Sequence, residues 1–203
     1  MTRARKVAVT TARKARVETP GRPPVPPILT PFDGERLVES VLADCRAASV
    51  DLADSTWRDS GISGGRLGAV TLAGATWTGV RLRGAKIGFA NLAGATLEEV
   101  VFEGCEIGGL DLRAVRARSV RFVDSTIDEL NVAGATLSGV DLTGARLRSL
   151  IGVESLRGAI VSPDQLHDLA PLLAAELGIE VRADEPEDGA DAPRRRHEGV
   201  SER

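Results

Sequence analysis

Very few residues in this chain have types and spacings that could do chemistry. The two histidines, His167 and His197, are thirty residues apart, and neither has a Cys, Asp or Glu set at ligand spacing. The two cysteines, Cys45 and Cys105, form neither a disulfide framework nor a zinc motif. Trp57 and Trp77 could offer an aromatic platform for a ligand. Gly61-Ile62-Ser63-Gly64-Gly65 is glycine-rich, but no helix pattern follows it, so it does not read as a phosphate-cradling loop. The expectation is therefore no catalytic residue, no cofactor-binding residue and no metal ligand.

The elements that would position such residues are better defined. The chain has 203 residues, of which 42% are hydrophobic and only 3% aromatic, with no Tyr, so a core would be mostly aliphatic. No run of eighteen apolar residues suggests a membrane span. The N-terminus is basic but lacks the apolar segment of a signal peptide, which points to a cytoplasmic protein. Charge is unevenly placed. Residues 1–30 carry seven Lys/Arg and one Glu; residues 161–203 carry five Arg and eleven Asp/Glu. Between them, residues 31–160 carry fourteen Lys/Arg and seventeen Asp/Glu. A near-neutral body lies between a basic head and an acidic tail.

The body repeats. Leu72–Trp77 reads LAGATW, Leu92–Leu97 reads LAGATL and Val132–Leu137 reads VAGATL. Stepping by five from Leu52 to Leu147 gives twenty residues, all apolar. Chance would do this on the order of once in 10⁸ for a fixed phase. Two places before each centre, no residue is charged and most are small, as at Ala75, Ala95, Cys105 and Ser125. Cys45 also takes a small inward place, and three coils of about 4.8 Å would hold it about 14 Å from Cys105, too far for a bridge. Both thiols read as small core residues. Trp57 and Trp77 are centres and read as core filling.

A step of five suits neither a helix, where it drifts around the cylinder, nor a strand, where it alternates faces. It suits a chain that turns about 90° every five residues and closes a square every twenty. Two residues of each five point inward, and coils stack by backbone hydrogen bonds. Turn chemistry sits at the expected corners. Two places after the centres, Gly occurs at 64, 74, 79, 84, 94, 104, 109, 134, 139 and 144, and Asp at 54, 59 and 124.

These features resemble the pentapeptide-repeat family, with its Ala-(Asp/Asn)-Leu-x-x consensus. Ala90-Asn91-Leu92, Val50-Asp51-Leu52, Leu130-Asn131-Val132 and Val140-Asp141-Leu142 carry the likeness across about 50–149, and more weakly across 32–161. Val often replaces Ala, and Asp/Asn is often missing. The resemblance implies an all-β solenoid: a four-sided, right-handed β-helix of about five to six coils. It also implies a protein-binding rod, pairing near the C-terminus in some members. In one class it implies a DNA mimic that binds gyrase or another topoisomerase and protects it from quinolone-like poisons.

Stacking at twenty predicts columns. Phe102 should stack on Phe122, and Asp51, Asn91, Asp111 and Asn131 should form a polar column bonding local backbone, with Thr71 interrupting. Arg83/Glu103, Lys86/Glu106, Glu98/Arg118, Arg121/Asp141 and Asp128/Arg148 should be opposite-charge pairs. Glu39/Asp59, Arg46/Arg66 and Arg66/Lys86 are like pairs. Opposite pairs prevail, which reads as self-neutralising ladders rather than an acidic DNA-like stripe. An imperfect first coil is expected from Phe32, Leu37, Leu42 and Ala47, since Glu35 and Ser40 are poor inward residues. After Leu147 the phase slips by one, to Leu156 and Val161.

Four segments follow. Residues 1–30 are a basic, Pro-rich flexible head and 31–161 the β-helix. Residues 162–182 are a capping or dimerisation helix with a short extension, and 183–203 an acidic flexible tail. Ser162-Pro163-Asp164-Gln165 is a helix start. Leu166, Leu169, Ala170, Leu173 and Leu177 form an apolar stripe that either covers the solenoid mouth or pairs with a second copy. Pro171 should kink or split the helix, and Gly178 should end it. The reading is a non-catalytic scaffold or protein-interaction surface with an unidentified protein partner; the alternative is the topoisomerase-binding DNA mimic. Nucleic acid is expected only through the basic head.

Overall fold

A computed structural model describes residues 36–182. The proposed segments 1–30 and 183–203, with Phe32 and Glu35, lie outside the described residues. The body is a parallel β-solenoid of about six turns. Its first sheet stacks Arg36–Val38, Thr56–Arg58, Thr76–Thr78, Thr96–Glu98, Arg116–Arg118 and Thr136–Ser138. The second stacks Val41–Ala43, Gly61–Ser63, Arg81–Arg83, Val101–Glu103, Arg121–Val123, Val140–Asp141 and Ala159–Ile160. The third stacks Arg46–Asp51, Arg66–Thr71, Lys86–Asn91, Glu106–Asp111, Ser125–Asn131 and Ala145–Ile151.

Register follows the period. Trp57 lies opposite Trp77, Phe102 opposite Phe122 and Ile107 opposite Ile127. The two Trp rings stack at 5.2 Å and the two Phe rings at 4.8 Å. Nineteen of the twenty centres from Leu52 to Leu147 are buried; Leu147, near the open end, is half-buried. Two inward residues per five make one continuous column, so the core is as long as the rod.

The four sides are not equivalent. Three are sheets; the fourth is built of tight turns. The Ala75 N–H bonds to the Leu72 carbonyl at 3.0 Å, with Gly74 between them at φ 69°. A single positive φ at the third residue makes this a type II turn, which is why Gly serves there. Gly74 still donates to the Ala93 carbonyl of the next coil at 3.0 Å, so the ladder continues through the turn.

Corner chemistry departs from the regular expectation on the third sheet. Gly109 does not take a positive φ, and neither does Gly144; the other predicted corner glycines do. In the third sheet the strand runs through the corner for six residues, with Leu67 and Val70 both inward. The special position moves one place earlier. A Cβ on Gly68 would meet the Ala48 carbonyl oxygen, and one on Gly88 or Gly108 would lie 2.5 Å from the carbonyl oxygen of the glycine twenty before.

Both ends obey local rules. Ser40 proves an acceptable inward residue: its hydroxyl donates to the Val38 carbonyl at 2.7 Å. At the far end Val140 pairs with Ala159, nineteen residues on, so the slip is seen in the register. Gly152 at φ 87° starts a 3-10 turn, Val153–Ser155, that stands in for the fourth side. Helix α1 spans Pro163–Glu176 with a full capping box: Gln165 N–H donates to Ser162 Oγ and Ser162 N–H to Gln165 Oε1. Gly178 ends it at φ 68°; its N–H bonds Ala175 and that of Ile179 bonds Ala174, the Schellman pattern.

Pro171 does not split α1, which runs unbroken. The carbonyl that Pro171 leaves without a backbone donor is that of His167, a residue on the exposed side of the helix. The apolar stripe is also divided. Leu169 is buried and Leu173 half-buried, while Leu166, Ala170 and Leu177 stay exposed.

Candidate interaction surface

Outward residues decide what a rod of this kind can touch. Among the described residues, no three His, Cys, Asp or Glu are grouped to hold a metal ion, and no helix is long and apolar enough to cross a membrane. Cys45 and Cys105 are free thiols. Burial pushes both thiols up, Asp44 adding to this at Cys45, so neither is a ready nucleophile. His167 is exposed on α1; His197 lies outside the described residues. Trp57 and Trp77 are buried, so neither is a platform.

Four of the five expected ion pairs form. Arg83–Glu103 is 2.8 Å, Lys86–Glu106 2.6 Å, Arg118–Glu98 3.4 Å and Arg148–Asp128 3.2 Å. Each is exposed and worth about 0.2–1 kcal/mol. The fifth does not form, although Arg121 and Asp141 are register partners. Asp141 turns to its own backbone, its Oδ1 accepting from Thr143 N–H at 3.0 Å and Thr143 Oγ1 at 2.6 Å.

The polar column behaves as expected. Asp51, Asn91, Asp111 and Asn131 each accept from the N–H two residues on, at 3.0–3.2 Å. Asp111 is the most enclosed charge, 6% exposed, with Arg113 Nη2 at 2.7 Å from its Oδ2. Burial alone would push its carboxyl up. Arg113 side-chain and backbone hydrogen bonds, with the guanidinium charge, outweigh that and hold it below the ordinary carboxylate range.

Assigning each outward residue of 36–151 to its side gives a charge map. The first sheet carries four cations and four anions, and the second carries three and four. The third, whose strands include Asp51 and Asp111, carries five and five, and the turn side carries one and one. No side is a continuous row of carboxylates. The third side carries the most charge of either sign.

That side has a distinct relief. Arg46, Arg66 and Lys86 stand opposite one another on adjacent rungs. Lys86 is held by Glu106, whereas Arg46 and Arg66 make no ion pair among the described residues. Beside them Gly68, Gly88 and Gly108 leave a strip of bare backbone, since a Cβ at any of them would strike the coil before. A shallow depression of about 450 Å³ is lined by Arg46, Ala47, Ala48, Arg66 and Gly68. At the strip's edge Phe89 is 43% exposed, the one exposed aromatic among the described residues, and its ring covers Gly109. A Cβ on Gly109 would come within 2.6 Å of the Phe89 Cδ2.

The Arg46/Arg66/Lys86 like pairs follow from the period, but their grouping with Phe89 and the glycine strip does not. A signal existed. Phe89 sits two places after a centre, where Gly and Asp dominate, and Gly68, Gly88 and Gly108 recur at twenty one place after a centre. At the C-terminal end a second, apolar patch exposes Ile151, Ile160, Leu166, Leu172, Leu177 and Ile179.

Comparison with known proteins agrees with the repeat. The family model for pentapeptide repeats matches eight copies across residues 66–104 and 81–116. Among solved structures, two trypsin-treated forms of QnrB1, a plasmid-mediated fluoroquinolone resistance protein, are similar. One is 17% identical, covering 75% of this chain and 94% of that one at a TM-score of 0.26. The other is 18% identical, covering 75% and 92% at a TM-score of 0.26. Full-length QnrB1 is 15% identical, covering 72% and 91% at a TM-score of 0.21. Likeness at this level carries no functional argument. No protein of curated function matches the sequence.

Proposed function

We propose that this pentapeptide-repeat chain is a non-catalytic, cytoplasmic scaffold that binds a protein partner through the third-sheet side. The observation that supports it is the grouping of an exposed aromatic, a bare glycine strip and two arginines that make no ion pair among the described residues, all on one side of the rod. A flat surface with one aromatic anchor and adjacent guanidinium groups suits protein contact, because Phe supplies desolvated area and Arg supplies directed hydrogen bonds. The rod's rigidity favours binding, since little ordering entropy is lost on contact. The free thiols fit a reducing compartment.

The test is an affinity capture from the native cell using the full chain and a Phe89→Ala, Arg66→Glu variant. A partner retained by the first and lost by the second supports the reading. Equal capture by both removes the third-sheet side from it.

The topoisomerase-binding DNA mimic draws no support from the charge map, because each side mixes signs. A gyrase supercoiling assay with and without quinolone tests it; inhibition or protection at stoichiometric protein would restore it. Pairing of two copies through the C-terminal patch is supported by the exposed Leu166, Leu172 and Leu177, and sedimentation of the full chain against Leu172→Glu tests that pairing. The capping role of 162–182 is supported by Gln165. Its Nε2 donates to the Leu142 and Ala145 carbonyls at 2.7 and 2.8 Å, tying the helix start to the last coil.

A further inference from the structure

The third-sheet side retains a feature that costs stability. Arg46 and Arg66 are register partners, a like-charge pair directly opposite across a ladder, and neither has an anion among the described residues. Elsewhere the same stacking is used to neutralise charge, as in Arg83–Glu103 and Arg148–Asp128. The two arginines border an open depression of about 450 Å³ floored by Ala47, Ala48 and Gly68. The bare glycine strip continues from there toward Phe89. An extended segment could lie along this track, because no side chain stands up from Gly68, Gly88 or Gly108. Its carboxylates would face Arg46 and Arg66, and an apolar or proline ring would cover Phe89.

The chain itself carries such a segment. Residues 184–191 read DEPEDGAD, five carboxylates in eight residues with one proline and no cation. The segment begins two residues after the described body ends at Arg182. The basic head, with seven Lys/Arg in residues 1–30, is excluded as occupant by like charge. Arg66 lies four rungs from Ala145–Ile151, about 19 Å at the usual strand spacing. Asp191 is nine residues beyond Arg182 and reaches about 30 Å from it when extended.

We propose that the acidic run Asp184–Asp191 folds back on its own solenoid and occupies the Arg46/Arg66–glycine-strip–Phe89 track, screening it from other acidic partners. This rests on the third-sheet side being a binding side. A short tether supplies an effective concentration in the millimolar range, so even a weak segment would compete with a free ligand.

The experiment uses the full chain. A fluorescein-labelled peptide of residues 180–192 is titrated against the native protein and against a variant in which Asp184, Glu185, Glu187, Asp188 and Asp191 become Asn or Gln. The expected result is binding to the neutralised variant on the order of tenfold tighter than to the native chain. That binding should weaken with salt and be lost when Arg46→Glu and Arg66→Glu are added. Equal affinity for native and neutralised chains overturns the fold-back and leaves the binding side intact. No binding to either overturns both. Independently, carbodiimide coupling in an Arg66→Lys full chain should join the new amine to peptide 184–191 at monomer mass. The Lys86–Glu106 link serves as internal control. The control link alone, or a coupling of 184–191 found only at dimer mass, overturns the fold-back.

Discussion

Ser55 offers a direct test of how the solenoid core is satisfied. Four serines occupy small inward places and are buried: Ser40, Ser55, Ser60 and Ser125. Three of them fold their hydroxyl onto the carbonyl two residues before, Val38 at 2.7 Å, Arg58 at 2.6 Å and Val123 at 2.9 Å. Those three follow strand ends of the first and second sheets. Ser55 instead closes a turn from Leu52, and its Oγ, in a residue 1% exposed, makes no hydrogen bond to the protein. Its column neighbours Ala75 and Ala95 are apolar. An unpartnered buried hydroxyl costs about 1–3 kcal/mol, and the change to alanine removes one oxygen without deleting a methylene. Ser55→Ala should therefore stabilise the fold by about 1–2 kcal/mol. At about 2–4 °C per kcal/mol for a chain of this size, Tm should rise by about 2–8 °C. Ser60→Ala should move the other way by about 1 kcal/mol, because it deletes the bond to Arg58 and the acceptor for Ser40 N–H. Thermal and urea unfolding followed by circular dichroism measures both. A lower or unchanged midpoint for Ser55→Ala would refute the reasoning, and so would equal shifts in the two variants.

Three further outcomes are expected. Ala114 holds φ 52° where Gly94 and Gly134 stand on the neighbouring coils, so Ala114→Gly should stabilise the fold by up to about 1 kcal/mol, read as a rise in the urea midpoint. Gly88→Ala should cost more than about 1 kcal/mol, because its Cβ would stand 2.5 Å from the Gly68 oxygen; Phe89→Ala should leave the midpoint nearly unchanged. The Asp111 carboxyl is held below its ordinary value, so its stabilisation is complete above about pH 3.9 and is lost as pH falls through the lowered value. Asp111→Asn keeps an acceptor for Arg113 N–H, as Asn91 and Asn131 do for their own neighbours, and should reduce the acid-induced loss of stability in urea titrations at falling pH.

Much of the fold is legible because a solenoid is nearly one-dimensional. Each coil meets only its two neighbours, so a residue's inward or outward place depends on its phase in the period alone. Leu72, Ala75 and Trp77 are core by phase, and their burial follows without further information. The Phe102–Phe122 stack and the Arg83–Glu103 pair follow from adding twenty. The same rule fails at Arg121 and Asp141, where a short-range bond within residues 141–143 competes with the cross-rung pair and wins. It also misjudges Gly109 and Gly144, since the phase marks a corner but not which backbone conformation turns it.

The proposed interaction side is less legible because exposure depends on what a side chain finds beside it. Phe89 occupies the place that Gly84 and Gly104 hold elsewhere in the period, and no periodic rule makes that place a ledge. It becomes one because the third sheet runs straight through its corner and Gly109 leaves room for the ring. Likewise the α1 stripe was visible as a helical pattern, but only packing against the last coil buried Leu169 and left Leu166 and Leu177 in solvent. The sequence by itself determined the twenty-residue coil, the composition of the core and the helix caps, since each depends on covalent spacing or on contacts within a few residues. Tertiary structure decided which three sides became sheets, where the backbone lies bare and which charges go unpaired. Those depend on the conformation of neighbouring coils at the corners, which spacing does not specify.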